Sequence, residues 1–229
     1  MFKYLFKVFE RSFKENLSMY IRPIINTISF FIFGKFLMGK DYSFIVFGGF
    51  TMFIQLDLII VPNFKYYLLY KSEKVSDIKL SGITINKFIF MDSFLYLALL
   101  VLQHAIFSLV YLGYIGCLLS IFMSVISICL GFLIIPITHR QESFKFSSRI
   151  GSILCTFGAI AYPIIAYPKI LKYLFLINIY TPICEMIRGI YYKKYISFSI
   201  NQLICFFIID LILYLLIYLI IKKVYLKNR

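Results

Sequence analysis

The chain has no tryptophan, two histidines and ten acidic residues against 24 Lys and Arg in 229 positions. From Ser93 to His139 it carries no Lys, Arg, Asp or Glu at all. Charged residues make up 15% of the whole, where an ordinary soluble domain has about a quarter. That scarcity excludes a soluble domain of this size, which would lack the polar surface to cover its apolar side chains. No Gly-x-x-x-x-Gly-Lys-Ser/Thr loop is present, so the chain does not bind ATP through a P-loop. No His-Glu-x-x-His, Gly-x-Ser-x-Gly or paired-carboxylate site appears, so nothing points to an enzyme: catalytic, cofactor-binding and metal residues are all expected to be absent. Cysteines at 117, 129, 155, 184 and 205 form no Cys-x-x-Cys pair and read as small apolar filler.

What is present is hydrocarbon. Hydrophobic residues reach 62% and the mean hydropathy is +0.90. Lipid as solvent for the apolar faces resolves the imbalance. The net charge of +14 sits in short clusters between apolar runs, which argues for membrane topology and against nucleic acid.

A crossing needs about 20 apolar residues. The runs predict an all-α membrane protein with six spans, near 20–38, 44–64, 88–112, 115–137, 150–168 and 198–221. Gly113 and Gly116 supply the turn in the uncharged stretch. Arg22 and Lys35 bracket the first span and would snorkel outward. With the N-terminus inside, the inner segments hold 16 Lys and Arg and the outer segments seven. The positive-inside rule then puts both termini in the cytoplasm. Tyrosines 66, 67, 70, 191, 192, 195 and 225 fall near the ends of spans, as an aromatic belt requires.

Before the first span, Phe2, Leu5, Phe6, Phe9 and Phe13 recur at helical spacing among Lys3, Lys7, Glu10, Arg11 and Lys14. Residues 1–16 are therefore expected to form an amphipathic helix on the inner membrane surface. The segment 169–197 is too apolar for an ordinary outer loop, yet Pro182 and its charges disfavour a clean crossing. It predicts a re-entrant or interfacial hairpin of two short helices meeting between Asn178 and Pro182, with Arg188 needing water or a carboxylate such as Glu185.

Asp92 lies one turn inside the cytoplasmic end of its span and can snorkel. Asp57 and Asp210 lie deeper, where an ionised acid costs roughly 2.5–3.5 kcal/mol on insertion scales. Either they line a polar pathway, or they hydrogen-bond a neighbouring helix through Gln55, Gln103, His104 or a tyrosine.

The order of parts resembles the type-2 ABC exporter permeases. YSFIVFGGFTMFIQ (42–55) is similar to that family's second span with its early glycine. YKSEKVSDIKLSGITINKF (70–88) resembles the cytoplasmic segment in which a short charged helix leads into the third span. FGAIAYPIIAYPKILKYLFLINIYTPICEMIRGI (157–190) resembles the family's Gly, Pro, Pro, turn and short helix ending in Arg-Gly. Two motifs depart from the pattern. The turn reads Asn178-Ile179-Tyr180-Thr181-Pro182 with its proline displaced, and Lys71-Ser72-Glu73-Lys74 keeps one acid.

The resemblance implies the membrane half of an exporter of lipid, drug or antimicrobial peptide in the cell membrane. It implies a second permease chain, identical or homologous, and a dimer of P-loop ATPase subunits that hold ATP and Mg. Residues 70–82 would be the coupling helix, with Lys71, Ser72, Glu73, Lys74, Val75, Ser76, Asp77 and Ile78 at the ATPase. A stand-alone secondary transporter or channel, a membrane lipid enzyme and a non-transporting immunity protein are the rival classes.

Overall fold

A computed structural model describes residues 17–32, 43–72, 75–80, 82–135, 143–160, 162–191 and 198–227. The expected interfacial helix at 1–16 lies outside the described residues, as do Glu73, Lys74 and the segments 33–42 and 192–197.

Among the described residues the chain is helical throughout, with no strand. The elements are α1 (Leu17–Ile32), α2 (Ser43–Lys71), α3 (Val75–Leu80), α4 (Ile85–Ile134), α5 (Ser143–Phe157), a single 3₁₀ turn (Ile164–Ala166), α6 (Lys169–Leu176), α7 (Tyr180–Tyr191) and α8 (Ile200–Lys227). Three of them, α2, α4 and α8, are long and apolar enough to cross a membrane. These helices mark a multi-pass membrane protein, because their exposed side chains are overwhelmingly Ile, Leu, Phe and Val.

The 50 residues of α4 would span about 75 Å if straight, more than twice a hydrocarbon core. They do not run straight. At Gly113 the backbone turns to φ 67°, ψ −165°, a conformation that a residue with a Cβ avoids. The halves, α4a (85–112) and α4b (114–134), fold back on each other. Ser108 bonds Ser120 and His104 meets Ser124, so residue numbers rise on one half as they fall on the other. Gly116, buried in the first turn of α4b, lets the reversal close: a Cβ there would collide with Leu112 Cβ on the other side of Gly113.

The same reasoning orients α2. Its Phe47, Thr51 and Lys65 pair with Phe107, His104 and Asp92, so α2 runs antiparallel to α4a. Gln55 and Asn63 bond Ser127 and Gly131, so α2 runs parallel to α4b. At Gly131 the two backbones nearly touch: a Cβ there would sit 2.8 Å from the carbonyl oxygen of Ile59 and 3.1 Å from that of Leu58. The Asn63 amide donates to the carbonyls of both Ile59 (3.1 Å) and Gly131 (2.8 Å), stitching the contact. Around it lies the main core, including Phe50, Ile54, Leu58, Leu100, Phe107, Met123, Tyr180 and Ile183.

One segment differs from the span expected of it. The helix anticipated over 150–168 starts at Ser143 and stops at Phe157. Gly158 then lies so close to Tyr180 that a Cβ would be 2.9 Å from the tyrosine Cβ, and Ala159 takes a left-handed φ of 52°. Pro163 caps the start of the 3₁₀ turn and Pro168 the start of α6, so no helix runs through either position. For the first span the described helix covers Leu17–Ile32, and the rest of 20–38 lies outside the described residues. In the hairpin region, α6 and α7 meet at a bend of 109° across 177–179.

Candidate functional site

Two buried polar assemblies organise the bundle. The first lies between α2, α4a, α4b and α7. His104 is fully buried, with its Nε2 3.1 Å from Thr51 Oγ1 and its Nδ1 3.1 Å from Gln55 Nε2 and 2.9 Å from Ser124 Oγ. The Gln55 amide nitrogen can only donate, so Nδ1 accepts and the ring carries its proton on Nε2, directed at Thr51. Gln55 Oε1 in turn accepts from Ser127 Oγ. With the Ser127 proton so used, the Tyr180 hydroxyl donates to Ser127 Oγ at 2.5 Å. The single Ser124 proton is shared between two acceptors, His104 Nδ1 and the Ser120 carbonyl at 2.9 Å, and Ser108 donates to Ser120 Oγ at 2.6 Å. A continuous set of hydrogen bonds therefore joins four helices inside an apolar core, where each unmade bond would cost roughly 1–3 kcal/mol.

The second assembly repairs the broken backbone after α5. A helix that ends inside an apolar protein leaves carbonyls without partners, and lipid cannot supply any. Two hairpin side chains, Asn178 and Arg188, do so, and a third, Glu185, takes up an N–H. Asn178 Nδ2 donates to the Leu154 carbonyl at 2.8 Å, while its Oδ1 accepts from the Tyr180 N–H at 3.1 Å. Arg188, 1% exposed, donates through Nη2 to the carbonyls of Ala159 and Ile160 and through Nη1 to Glu185 Oε1. Glu185 Oε1 also accepts the Ile164 N–H at 2.9 Å, at the start of the 3₁₀ turn. Pro182 is buried in the first turn of α7, where its missing N–H is harmless. The carboxylate that Arg188 requires is thus Glu185, one turn back on the same helix, and both act as caps for a neighbouring segment.

The remaining residues singled out in the sequence lie elsewhere. Gln55 and His104 come together directly. Gln103 is buried on the same helix, but its Oε1 makes no hydrogen bond among the described residues. Asp57 lies on α2 outside the bonds just described. Asp210 is 3% exposed on α8, and its Oδ2 has no hydrogen bond among the described residues. Asp92 does not simply reach outward. It pairs with Lys65 at 2.9 Å because α2 and α4a run antiparallel. At that same end, Ser76 and Asp77 of α3 are exposed, Val75 is half-buried and Ile78 is buried. Lys71 and Ser72 are exposed at the end of α2.

Thr51, Ser108, Ser120, Ser124, Ser127 and Tyr180 do not stand out in the sequence one by one. A periodic signal exists: Gly116, Ser120, Ser124, Ser127 and Gly131 fall on one face of α4b, and all are buried. No group of three or more His, Cys, Asp or Glu able to hold a metal occurs among the described residues. No family model, curated protein or solved structure matches the chain.

Proposed function

We propose that the chain is the membrane-spanning subunit of an ATP-driven exporter of lipid, drug or peptide-like molecules. It works with a second permease chain and with separate P-loop ATPase subunits that hold ATP and Mg. The six crossings are α1, α2, α4a, α4b, α5 and α8, with both termini in the cytoplasm. The α1 and α5 helices reach about 24 and 22 Å, shorter than the other crossings. The bent α6–α7 pair then faces outside, on the side of Gly113, and α3 faces the cytoplasm.

The observation that carries this reading is α3. It is a six-residue helix between the two longest helices, and its Leu80 is 86% exposed beside the exposed Asp77. An apolar side chain so exposed, at a charged end of the molecule, fits a groove on a partner protein. Ile78, buried on the other side, ties α3 to the body of the protein. The Lys65–Asp92 pair joins α2 to α4a at that end, so a push on α3 reaches both.

Replacing Asp77 by Lys together with Leu80 by Asp is expected to reduce the co-purified ATPase at least about tenfold, equivalent to ~1.4 kcal/mol, at unchanged membrane insertion. The comparison is made in mild detergent with the ATPase co-expressed. Full retention by the mutant removes α3 as the docking point. If wild type itself retains no ATPase, a stand-alone transporter or an immunity protein replaces the exporter.

The orientation has its own check. In a cysteine-free background, an impermeant thiol reagent applied to intact cells is expected to label single cysteines at 41, 170 and 194 and to miss those at 76 and 227. Labelling at 76 or 227 would reverse the topology.

A further inference from the structure

The hairpin helix α7 meets α4b through two tyrosine hydroxyls, and their spacing is informative. Tyr180 donates to Ser127 Oγ, and Tyr191 OH accepts from the Gly116 N–H at 3.0 Å. Tyr180 and Tyr191 are eleven residues apart, and so are Gly116 and Ser127. Eleven residues are three helical turns to within about 20°, so each pair lies on one face of its helix, about 16 Å apart. The bonded numbers rise on α7 as they fall on α4b, so the helices are antiparallel in one fixed register. Between the two bonds, Ile183, Cys184 and Ile187 of α7 and Met123 of α4b are buried in the same core cluster.

Each bond also has an energetic reason to persist. The Gly116 N–H lies in the first turn of α4b, where the helix itself offers it no partner, and Tyr191 supplies one in place of solvent. Tyr180 terminates the polar assembly around Gln55, so losing its hydroxyl would leave Ser127 Oγ without a donor, although Ser127 would still donate to Gln55. The final helix touches the hairpin as well: α8 packs against α7, and a hydrogen bond joins the Tyr214 hydroxyl to the backbone of Ile179 at the hairpin bend.

We propose that α7 and α4b form one mechanical unit, clamped at both ends by Tyr180 and Tyr191. The hairpin then moves with the fourth crossing. The clamp is a conformational device of the fold and holds whatever drives or uses the movement. One end of it is the Gly113 turn, so tilting α4b carries α7 bodily and swings α6 about the 109° bend.

The test uses the full chain in lipid nanodiscs, with amide hydrogen exchange read separately over 114–134 and 180–191. Tyr180→Phe and Tyr191→Phe each keep the ring and remove one hydroxyl. Each is expected to accelerate exchange in both segments, by at least about fivefold, equivalent to ~1 kcal/mol. The double substitution is expected to exceed the product of the two, because a helix held at two points opens fully only when both are lost. Acceleration confined to 180–191, or none in either segment for the double variant, overturns the proposal. A second measurement needs no hydroxyl variant. Cys184 and a cysteine placed at Met123 occupy paired positions in the proposed register. They are expected to form a disulfide rapidly in native membranes with a mild oxidant, and failure to cross-link removes the register on which the clamp depends.

Discussion

Replacing Arg188 by methionine is expected to destabilise the protein by about 3–5 kcal/mol, the usual cost of stranding one member of a buried ion pair. Methionine fills much of the same volume, so the loss comes from polar groups and not from a cavity. Three acceptors lose their donor at once: Glu185 Oε1 and the carbonyls of Ala159 and Ile160. Glu185 is itself fully buried and would be left with the Ile164 N–H alone among the described residues. Arg188→Lys should fall between the two, because an ammonium cannot present the planar fork that reaches a carboxylate and two carbonyls together. Glu185→Gln should cost less than Arg188→Met, since the amide oxygen can still accept from both partners. The measurement is unfolding of the purified chain by titrated SDS in mixed micelles. A methionine variant within about 1 kcal/mol of wild type would show that the guanidinium is not the cap of the α5 break.

Gly131→Ala is the second large effect. A single added carbon at Gly131 meets backbone, at 2.8 Å from the Ile59 oxygen, so a helix must move to admit it. Moving α2 from α4b lengthens the bond from Asn63 to the Gly131 carbonyl and disturbs Gln55 and Ser127 two turns away. Overpacking of this sort costs typically 1–3 kcal/mol and the strained bonds add to it, so a loss of about 3 kcal/mol is expected. Gly151→Ala makes the comparison informative. There the nearest atom is Leu56 Cδ1 at 2.9 Å, the far end of a flexible side chain that can change rotamer. That variant should stay within about 1 kcal/mol of wild type by the same titration. Equal losses at the two glycines would count against the close contact of α2 with α4b.

Some of this arrangement is legible in the residues. The reversal at Gly113 is, because a charge-free stretch twice the membrane width must turn and glycine is where it can. The break between α6 and α7 is, because Asn178 and Pro182 interrupt an apolar run. The partnership of Arg188 with Glu185 follows from the cost of a lone guanidinium in lipid. What stays hidden depends on which helices become neighbours. Serine and threonine are near-neutral in an apolar helix, so Thr51 acquires meaning only when α2 packs against α4a, and Ser124 and Ser127 only when α2 packs against α4b. Asp92 looks like an acid reaching for water until the antiparallel α2 brings Lys65 beside it. The early end of α5 is the opposite case. Gly158, Pro163 and Pro168 announce it, yet hydropathy alone carries the apolar run through them.

The fold-back at Gly113 also bears on how the chain is built during synthesis. Its polar pairs are short-range, Ser108 with Ser120 and His104 with Ser124, whereas Ser127 waits for Tyr180, 53 residues later. As the ribosome extends the chain, α4a arrives at the insertion machinery with an imidazole and a serine that the bilayer would penalise. Both are answered within the next 20 residues, as α4b emerges. The two halves are therefore suited to enter the bilayer together as a prepaired hairpin, with α2 already in place to receive them. The link from Ser127 to Tyr180 would remain for the last third of the chain to close.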